Sequence, residues 1–501
     1  MQTKRRSYFT VENLLVFLAL ALILGYEAWG IGVPGIWQDE ASTISGASRG
    51  PLGLMALSTT VDAVHALYYF GMSIWGSIFG FTPFAVRFPS ALAVTAAVAV
   101  TYFVGRRVSG KRLGAISAVI LALLPRMTWA ATEARSYGFT ALAGVLLFWL
   151  FLKVNEVEGS KVANKIKLRW WWFFAGVSTL ASYIFVYALL LLLAGGLTLV
   201  IRRVSENHLK TYVKFSLISF AMSSIVLVFS FFQRDQISWI EPTTFHNLDN
   251  QLIDAPFGHG LQTDGVVGVL LAIAVVVLLI RQSARLKFLD SFRGIEFQHL
   301  LVVIVVPTVL LVAVSLAGES LYNPRYVTFL MPILALLMGW VFTLALPWPA
   351  LVAVAAVLLA TSLPVHDAQR GAYAKLTDWG TLAAAMKTEL RPGDGMLYAG
   401  ATLRPPWMRR ISIAYLNEFK ETRDLTQIAP YYAHFTLMPD PAKANVIKSR
   451  LLKESRVWLV FSKTKHELSG KLEAQWLHRA GFVAGPIHYL KFSRFQLWMR
   501  K

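Results

Sequence analysis

Two adjacent carboxylates, Asp39 and Glu40, stand in the run Trp37-Gln38-Asp39-Glu40-Ala41-Ser42-Thr43, just beyond the first long apolar stretch. A carboxylate placed there can accept the proton of a hydroxyl that attacks a carbon carrying a good leaving group. The same pair also suits a plain helix start, because Asp before Ala-Ser-Thr can cap the turn that follows. Asp62 and His65 come next, in Val61-Asp62-Ala63-Val64-His65-Ala66-Leu67-Tyr68-Tyr69. Three apart, they share a helical face and suit a divalent cation as two ligands, fewer than a metal centre ordinarily uses, or equally a structural pair. The chain has no cysteine, so thiolate nucleophiles, thiolate metal ligands and disulfides are all excluded.

Two further runs each bring an arginine and a tyrosine to the end of an apolar segment. They are Thr132-Glu133-Ala134-Arg135-Ser136-Tyr137 and Glu319-Ser320-Leu321-Tyr322-Asn323-Pro324-Arg325-Tyr326. An arginine at the headgroup plane can hold a polyprenyl phosphate as its bond to a sugar breaks and negative charge grows on the phosphate. It can also merely snorkel and anchor a helix end. The segment Gln233–Asp264 contributes Trp239, Glu241, His246, Asp249, Asp254 and His259, the aromatic and acidic types that stack on sugars and bind their hydroxyls, and also the content of an ordinary external loop.

The elements that must position these residues are membrane-spanning. Apolar residues make up 56% of the 501, charged residues 15%, and the mean hydropathy is +0.53. A soluble enzyme of this length needs more polar surface than that. Apolar runs long enough for a bilayer core of ~30 Å fall at approximately 12–30, 84–104, 113–129, 137–153, 170–183, 185–201, 214–232, 265–281, 299–317, 326–343 and 349–364, about eleven in all. The division of 170–201 requires a turn near Ser182-Tyr183. Val11 to Ile31 exceeds a signal-peptide core, lacks a cleavage pattern and follows Lys4, Arg5 and Arg6, which makes it a retained first helix with a cytoplasmic N-terminus.

Charge fixes the sidedness. Placing Arg106, Arg107, Lys111 and Arg112 in the cytoplasm requires one crossing between the first external loop and that cluster. His65 to Phe81 then reads as a helix at the outer interface, with Tyr68, Tyr69 and Trp75 at headgroup depth. Of 26 Lys and Arg before residue 365, six fall outside: Arg49, Arg87, Arg126, Arg135, Arg234 and Arg325. The formal charge of +20 does not imply nucleic acid, because a basic membrane protein ordinarily owes charge to the cytoplasmic loops that orient it, although the basic charge beyond residue 365 is not explained by that rule. From about His366 the composition becomes that of a soluble domain. Thr377–Leu390 reads as a helix, Gly395–Tyr398 as a strand, Val457–Phe461 as a strand, Leu472–Ala480 as a helix and Phe492–Trp498 as a strand, a small α/β domain on the non-cytoplasmic side. The domains are therefore 1–365, carrying external loops 31–83 and 233–264, and 366–501.

The order of these motifs resembles a known family. Asp-Glu after the first helix is followed by Asp-x-x-His, by Ala-x-Arg-x-Pro-Ser-Ala (Ala85 to Ala91), by Gly105-Arg106-Arg107, by Glu-x-Arg-Ser-Tyr and by Pro-Arg-Tyr. The chain resembles the GT-C glycosyltransferases, specifically the protein O-mannosyltransferase and aminoarabinose transferase family, and more closely bacterial membrane mannosyltransferase-like proteins. The resemblance covers most of the first 345 residues. Relatives often read Asp-x-His-Pro-Pro-Leu-Tyr where this chain has Asp62 to Tyr68 without either proline. The resemblance implies an inverting enzyme that uses a polyprenyl-phosphate sugar and no nucleotide cofactor, with a divalent cation left open. It maps the catalytic Asp and its neighbour onto Asp39 and Glu40, and the donor-phosphate residues onto Arg135, Tyr137, Arg325 and Tyr326.

The expectation is a polytopic α-helical membrane protein of the GT-C fold in the plasma membrane. It would move a sugar, mannose by resemblance, from a polyprenyl-phosphate carrier to an extracytoplasmic glycan, lipid or protein acceptor. Asp62, His65, Glu133, Trp239 and Glu241 are the candidates for contact with sugar or acceptor. The rival readings are a lipid-linked-sugar flippase, which predicts repeats or broken helices, and a non-catalytic envelope scaffold.

Overall fold

The computed structural model describes residues 11–156, 161–258, 263–404, 407–433, 435–463 and 465–501. Lys4, Arg5, Arg6 and His259 lie outside the described residues. The chain forms two compact units, Met1–Trp29 with Phe88–Asp367, and Gly30–Arg87 with Ala368–Lys501.

Along the chain the helices run Val11–Ala28 (α1), Gln38–Ala47 (α2), Gly50–Thr60 (α3), Ala66–Phe79 (α4), Pro83–Ser109 (α5), Lys111–Leu123 (α6), Pro125–Ala131 (α7) and Tyr137–Asn155 (α8). The helices beyond α8 that meet the remaining apolar runs are Lys161–Ile184, Leu190–Ile201, Glu206–Met222 with Ser224–Phe232, Thr263–Ile280 with Gln282–Ser291, Ile295–Leu316, Met331–Ala345 and Trp348–Gln369. Helix therefore occupies every one of the expected apolar runs. By length and composition, six helices among the described residues are able to cross a bilayer, or nine if each bent pair is one span. The two runs outside that count are the halves of 161–201, which divide at Phe185, beside the expected turn. The bend of 63° between α6 and α7 falls at Pro125, which lacks the N–H needed to continue the ladder.

Within the first unit, two glycines set how closely α8 meets its neighbours. A Cβ at Gly138 would stand 2.8 Å from the carbonyl oxygen of Ser90 on α5, and one at Gly144 would overlap the carbonyl oxygen of Phe329. The 3-10 segment Pro324–Leu330 can therefore lie directly on α8. Ser90 Oγ also donates to the carbonyls of Glu133 at 2.6 Å and Arg135 at 3.2 Å, which fixes the non-helical link between α7 and α8.

The second unit carries a five-stranded sheet. Its strands are Gly395–Tyr398 (β1), Arg423–Asp424 (β2), Arg456–Ser462 (β3), Phe482–Tyr489 (β4) and Ser493–Arg500 (β5), in the order β2-β1-β3-β5-β4. β1 is parallel to β2 and β3, whereas β5 is antiparallel to β3 and β4. The fully buried Trp458 on β3 donates its indole N–H to Asp394 at 2.8 Å, and Arg456 pairs with the same carboxylate at 2.9 Å.

Residues 30–87, which contain the stretch 31–83 read from sequence as an external loop of the membrane domain, are held to residues 368–501 by specific bonds. The Ile36 N–H donates to the Tyr415 hydroxyl at 3.0 Å, Arg410 donates to Gln38 Oε1 at 3.1 Å, and Ser48 and Tyr431 share a hydroxyl bond of 2.7 Å. Tyr68 and Tyr69 of α4 are buried in the protein, with Tyr69 against Gly46 of α2, where a side chain would collide with its ring.

Candidate functional site

The residues singled out from sequence fall into two groups, each inside one unit. In the second unit, Asp39 and Glu40 occupy the first turn of α2, where the helix dipole favours negative charge. They are not equivalent. Asp39 is half-buried, whereas Glu40 is fully buried. Glu40 receives Arg87 in a bidentate pair, Nε to Oε1 at 2.7 Å and Nη2 to Oε2 at 2.6 Å. Arg87 gives its other N–H groups to the carbonyls of Ile31 and Pro34, both at 2.7 Å, and of Gly35 at 3.0 Å. The turn before α2 is thus gathered around one guanidinium, and Asp39 stands on its outer side. Arg410 is the cation beside Asp39. Burial pulls its pKa below the ordinary arginine value, and the negative charge of Asp39 opposes that shift. Burial likewise pushes Tyr415, which bonds Ile36, up to about 12.

Asp62 and His65 are close but arranged differently from a helical pair. Asp62 is left-handed, with φ of 54°, and begins the short 3-10 turn Ala63–His65. Its Oδ2 accepts the Tyr69 hydroxyl at 2.6 Å, and its carbonyl accepts the His65 N–H at 2.9 Å. A two-residue donor set with one carboxylate already engaged does not fit a divalent cation. Among the described residues no group of three or more His, Asp or Glu side chains is placed to hold one.

In the first unit, Arg135 lies two residues before α8 and Tyr137 is its first residue. Arg325 and Tyr326 open the helical stretch Pro324–Ala345. Arg135, Arg325, Tyr137 and Tyr187 are all near enough to Tyr326 for their charges to act on it. Glu133 is fully buried in the same link. Trp239 stacks beneath Arg325, with the guanidinium carbon 4.9 Å from the ring centroid, and Glu241 is exposed two residues on.

Arg126 is a member of this cluster that the sequence reading placed outside the membrane but left out of the site. It follows Pro125 at the α6–α7 bend, is buried, donates to the carbonyls of Ala255 at 2.7 Å and of Asp254, and lies 4.9 Å over Trp129. Its charge interacts with those of Arg325, Tyr137 and Tyr322. The signal for it was a Pro-Arg dipeptide inside an apolar run, the same dipeptide that opens the helix at Arg325. Tyr187, whose hydroxyl donates to the carbonyl of Leu321 at 3.1 Å, carried no such signal.

Chemically, the first group offers a half-exposed carboxylate on a rigid turn. The second gathers three guanidinium groups among tyrosine hydroxyls. Arg135 and Arg325 stand at helix N-termini, where the dipole disfavours a cation by about 0.3–1 kcal/mol unless an anion joins it.

The arrangement of helices is the GT-C fold. The crystal structure of ArnT from Cupriavidus metallidurans bound to undecaprenyl phosphate superimposes with a TM-score of 0.61 at 12% identity, over 97% of this chain and 98% of that one. The apo form of the same protein gives 0.59 at 11% identity, with the same coverage. The archaeal oligosaccharyltransferase AglB from Archaeoglobus fulgidus, in complex with an inhibitory peptide and a dolichol-phosphate, gives 0.48 at 12%, over 90% of this chain and 69% of that one. In sequence, the family described as dolichyl-phosphate-mannose-protein mannosyltransferase matches residues 66–230, less than half of the chain. No curated protein matches it.

Proposed function

We propose that the chain is an inverting glycosyltransferase of the plasma membrane that moves a sugar from a polyprenyl phosphate to a hydroxyl on an extracytoplasmic glycan, lipid or protein. The acceptor oxygen attacks the anomeric carbon, its proton passes to Asp39, and the bond from that carbon to the phosphate oxygen breaks. Arg135 and Arg325, with Tyr137 and Tyr326 and joined by Arg126, take up the charge that grows on the leaving phosphate. Glu40 acts as a positioning residue through Arg87. No step is routed through a metal or a nucleotide. Mannose is the sugar that the family description favours, with arabinose or another furanose as the alternative.

The observation that supports this reading is the gathering of arginines and tyrosines, buried at Arg126, Arg135 and Tyr137 and half-buried at Arg325 and Tyr326, at helix N-termini in a fold whose neighbour ArnT was crystallised with undecaprenyl phosphate. The test is incubation of purified protein with a panel of radiolabelled polyprenyl-phosphate sugars and membrane acceptors, with products read by mass. Transfer is expected from wild type and absent from Asp39→Asn, which leaves expression and folding intact. Retained turnover in that variant overturns the role of Asp39.

A flippase for the same lipids is the second reading, and three helix pairs bent by 54° to 104° favour it. It predicts lipid translocation that Asp39→Asn leaves unchanged.

A further inference from the structure

Arg410 is the first residue of the short helix Arg410–Ala414, in the stretch 368–501 that forms the second unit together with residues 30–87. The residue before it is a buried anchor that holds its backbone in place. Arg409 is 1% exposed, donates Nε to the Thr426 hydroxyl at 2.8 Å and Nη2 to the Ala401 carbonyl at 3.3 Å, and pairs with Asp424 at 3.2 Å.

The Arg410 side chain reaches the first turn of α2. Nη1 donates to Gln38 Oε1 at 3.1 Å, and the guanidinium carbon lies 4.7 Å from the centroid of the Trp407 ring. Nε is withdrawn from solvent and has no hydrogen-bond partner among the described residues. Gln38 and Trp407 are neutral, so neither carries the negative charge that a half-buried guanidinium calls for. The carboxylate whose charge does act on it is Asp39, the residue after Gln38.

This placement bears on which way Asp39 faces. It is the second residue of α2, and a carboxylate in the first turn is drawn toward the helix's own unsatisfied N–H groups. A base turned back on its helix cannot reach an acceptor hydroxyl, which must lie within about 2.6–3.2 Å of it. A cation fixed beside the turn pulls the carboxylate the other way. Arg87 and Glu40 gather the backbone of the turn, and Arg410 acts on the side chain that the turn presents.

We infer that Arg410 is a positioning residue for the reaction: it holds the Asp39 carboxylate out from α2, so that residues 368–501 complete the site of the base. The inference rests on the transferase reading and gives those residues a part in catalysis.

The test compares Arg410→Met, Arg410→Lys and Lys465→Met in the purified full-length protein by steady-state transfer and thermal unfolding. Lys465, whose ammonium lies 4.3 Å from the centroid of the same Trp407 ring, controls for loss of a positive charge at that indole. Arg410→Met is expected to lower kcat by about tenfold or more, because a small misplacement of the base is enough for that. Both KM values are expected to stay within about threefold, and the unfolding temperature to be unchanged or raised. Lysine is expected to restore part of kcat as a point charge, and Lys465→Met to match wild type. Independently of turnover, phenylglyoxal labelling of Arg410, read by peptide mass, is expected to run about fivefold faster in Asp39→Asn than in wild type, the scale of one ion pair near a surface. Labelling of Arg404 is the internal control and is expected to be the same in both. Unchanged kcat in Arg410→Met, a defect confined to the acceptor KM, or an equal defect in Lys465→Met overturns the inference. The labelling comparison and the lysine variant carry the test even if Arg410→Met fails to fold. Faster labelling in Asp39→Asn without transfer by wild type from any donor sinks the transferase reading instead, and transfer with labelling unchanged sinks the positioning role alone.

Discussion

Arg87 and Glu40 form a fully buried bidentate ion pair, with contacts of 2.7 and 2.6 Å, in which the arginine also binds three backbone carbonyls of the turn before α2. All five guanidinium N–H groups are used. Removing one partner leaves a buried charge uncompensated and costs about 3–5 kcal/mol. Glu40→Gln and Arg87→Met are each expected to lower the unfolding temperature of the detergent-purified protein. The double replacement Glu40→Met with Arg87→Met is expected to be less harmful than the sum of its parts. Additive losses, measured by a double-mutant cycle, argue against the pair as the clamp of this turn.

The arginine cluster yields a kinetic prediction. Each charge-assisted bond to a phosphate oxygen is worth about 1.5–3 kcal/mol. Arg135→Gln and Arg325→Gln are therefore each expected to lower kcat/KM for the lipid donor by about tenfold to a hundredfold, with the acceptor KM unchanged. Lysine at Arg325 is expected to recover part of the loss as a point charge, without the bidentate geometry. A defect confined to the acceptor KM would move these residues out of the donor group.

Much of this architecture is legible from sequence, for a physical reason that also marks the limit. Bilayer thickness imposes a length on every apolar run, so helix appears in each expected segment, and β1 matches its expected bounds at Gly395–Tyr398. β4 was hidden because Gly485-Pro486 reads as a turn. In the fold the pair sits in an edge strand at a register shift between Ala484 and Ile487, a position that tolerates a missing donor. Asp39 and Glu40 were visible as a pair, but their difference was not. Glu40's partner is 47 residues away, and no local pattern announces it. Nor does composition show that residues 30–87 pack with residues 368–501, since the bonds involved rest on single side chains across more than 370 residues.

Gly144 sets the approach of α8 to the segment that begins with Arg325. A methyl group there would overlap the Phe329 carbonyl, so the 3-10 turn must move rather than a flexible side chain. Gly144→Ala is expected to destabilise the protein by about 1–3 kcal/mol through overpacking. It should also weaken donor binding, because Arg325 and Tyr326 ride on the displaced turn. Gly176→Ala, where a Cβ meets nothing within 4 Å, serves as the matched control and is expected to be neutral or slightly stabilising. Equal effects of the two substitutions would show that helix propensity, not close approach, governs Gly144.

The second unit contains a carboxylate whose titration is readable in the intact chain. Glu473, in the first turn of the helix Lys471–Arg479, accepts the N–H groups of Gly400 at 3.0 Å and Ala401 at 3.1 Å through Oε1. Burial raises its pKa above the ordinary value of 4.5, and the backbone bonds from Ala401 and Gly400 only partly oppose that rise. A raised folded-state pKa means that the fold prefers the protonated form. The resulting stabilisation is complete below 4.5 and is lost as pH climbs through the folded value. Glu473→Gln keeps an oxygen for both N–H groups and removes the ionisation. The variant is therefore expected to match wild type near about pH 4 and to become the more heat-stable of the two toward about pH 7, in thermal unfolding of the full-length protein. If wild type instead gains on the variant as pH rises, the N–H bonds and helix dipole outweigh burial, and Glu473 works as an ionised cap.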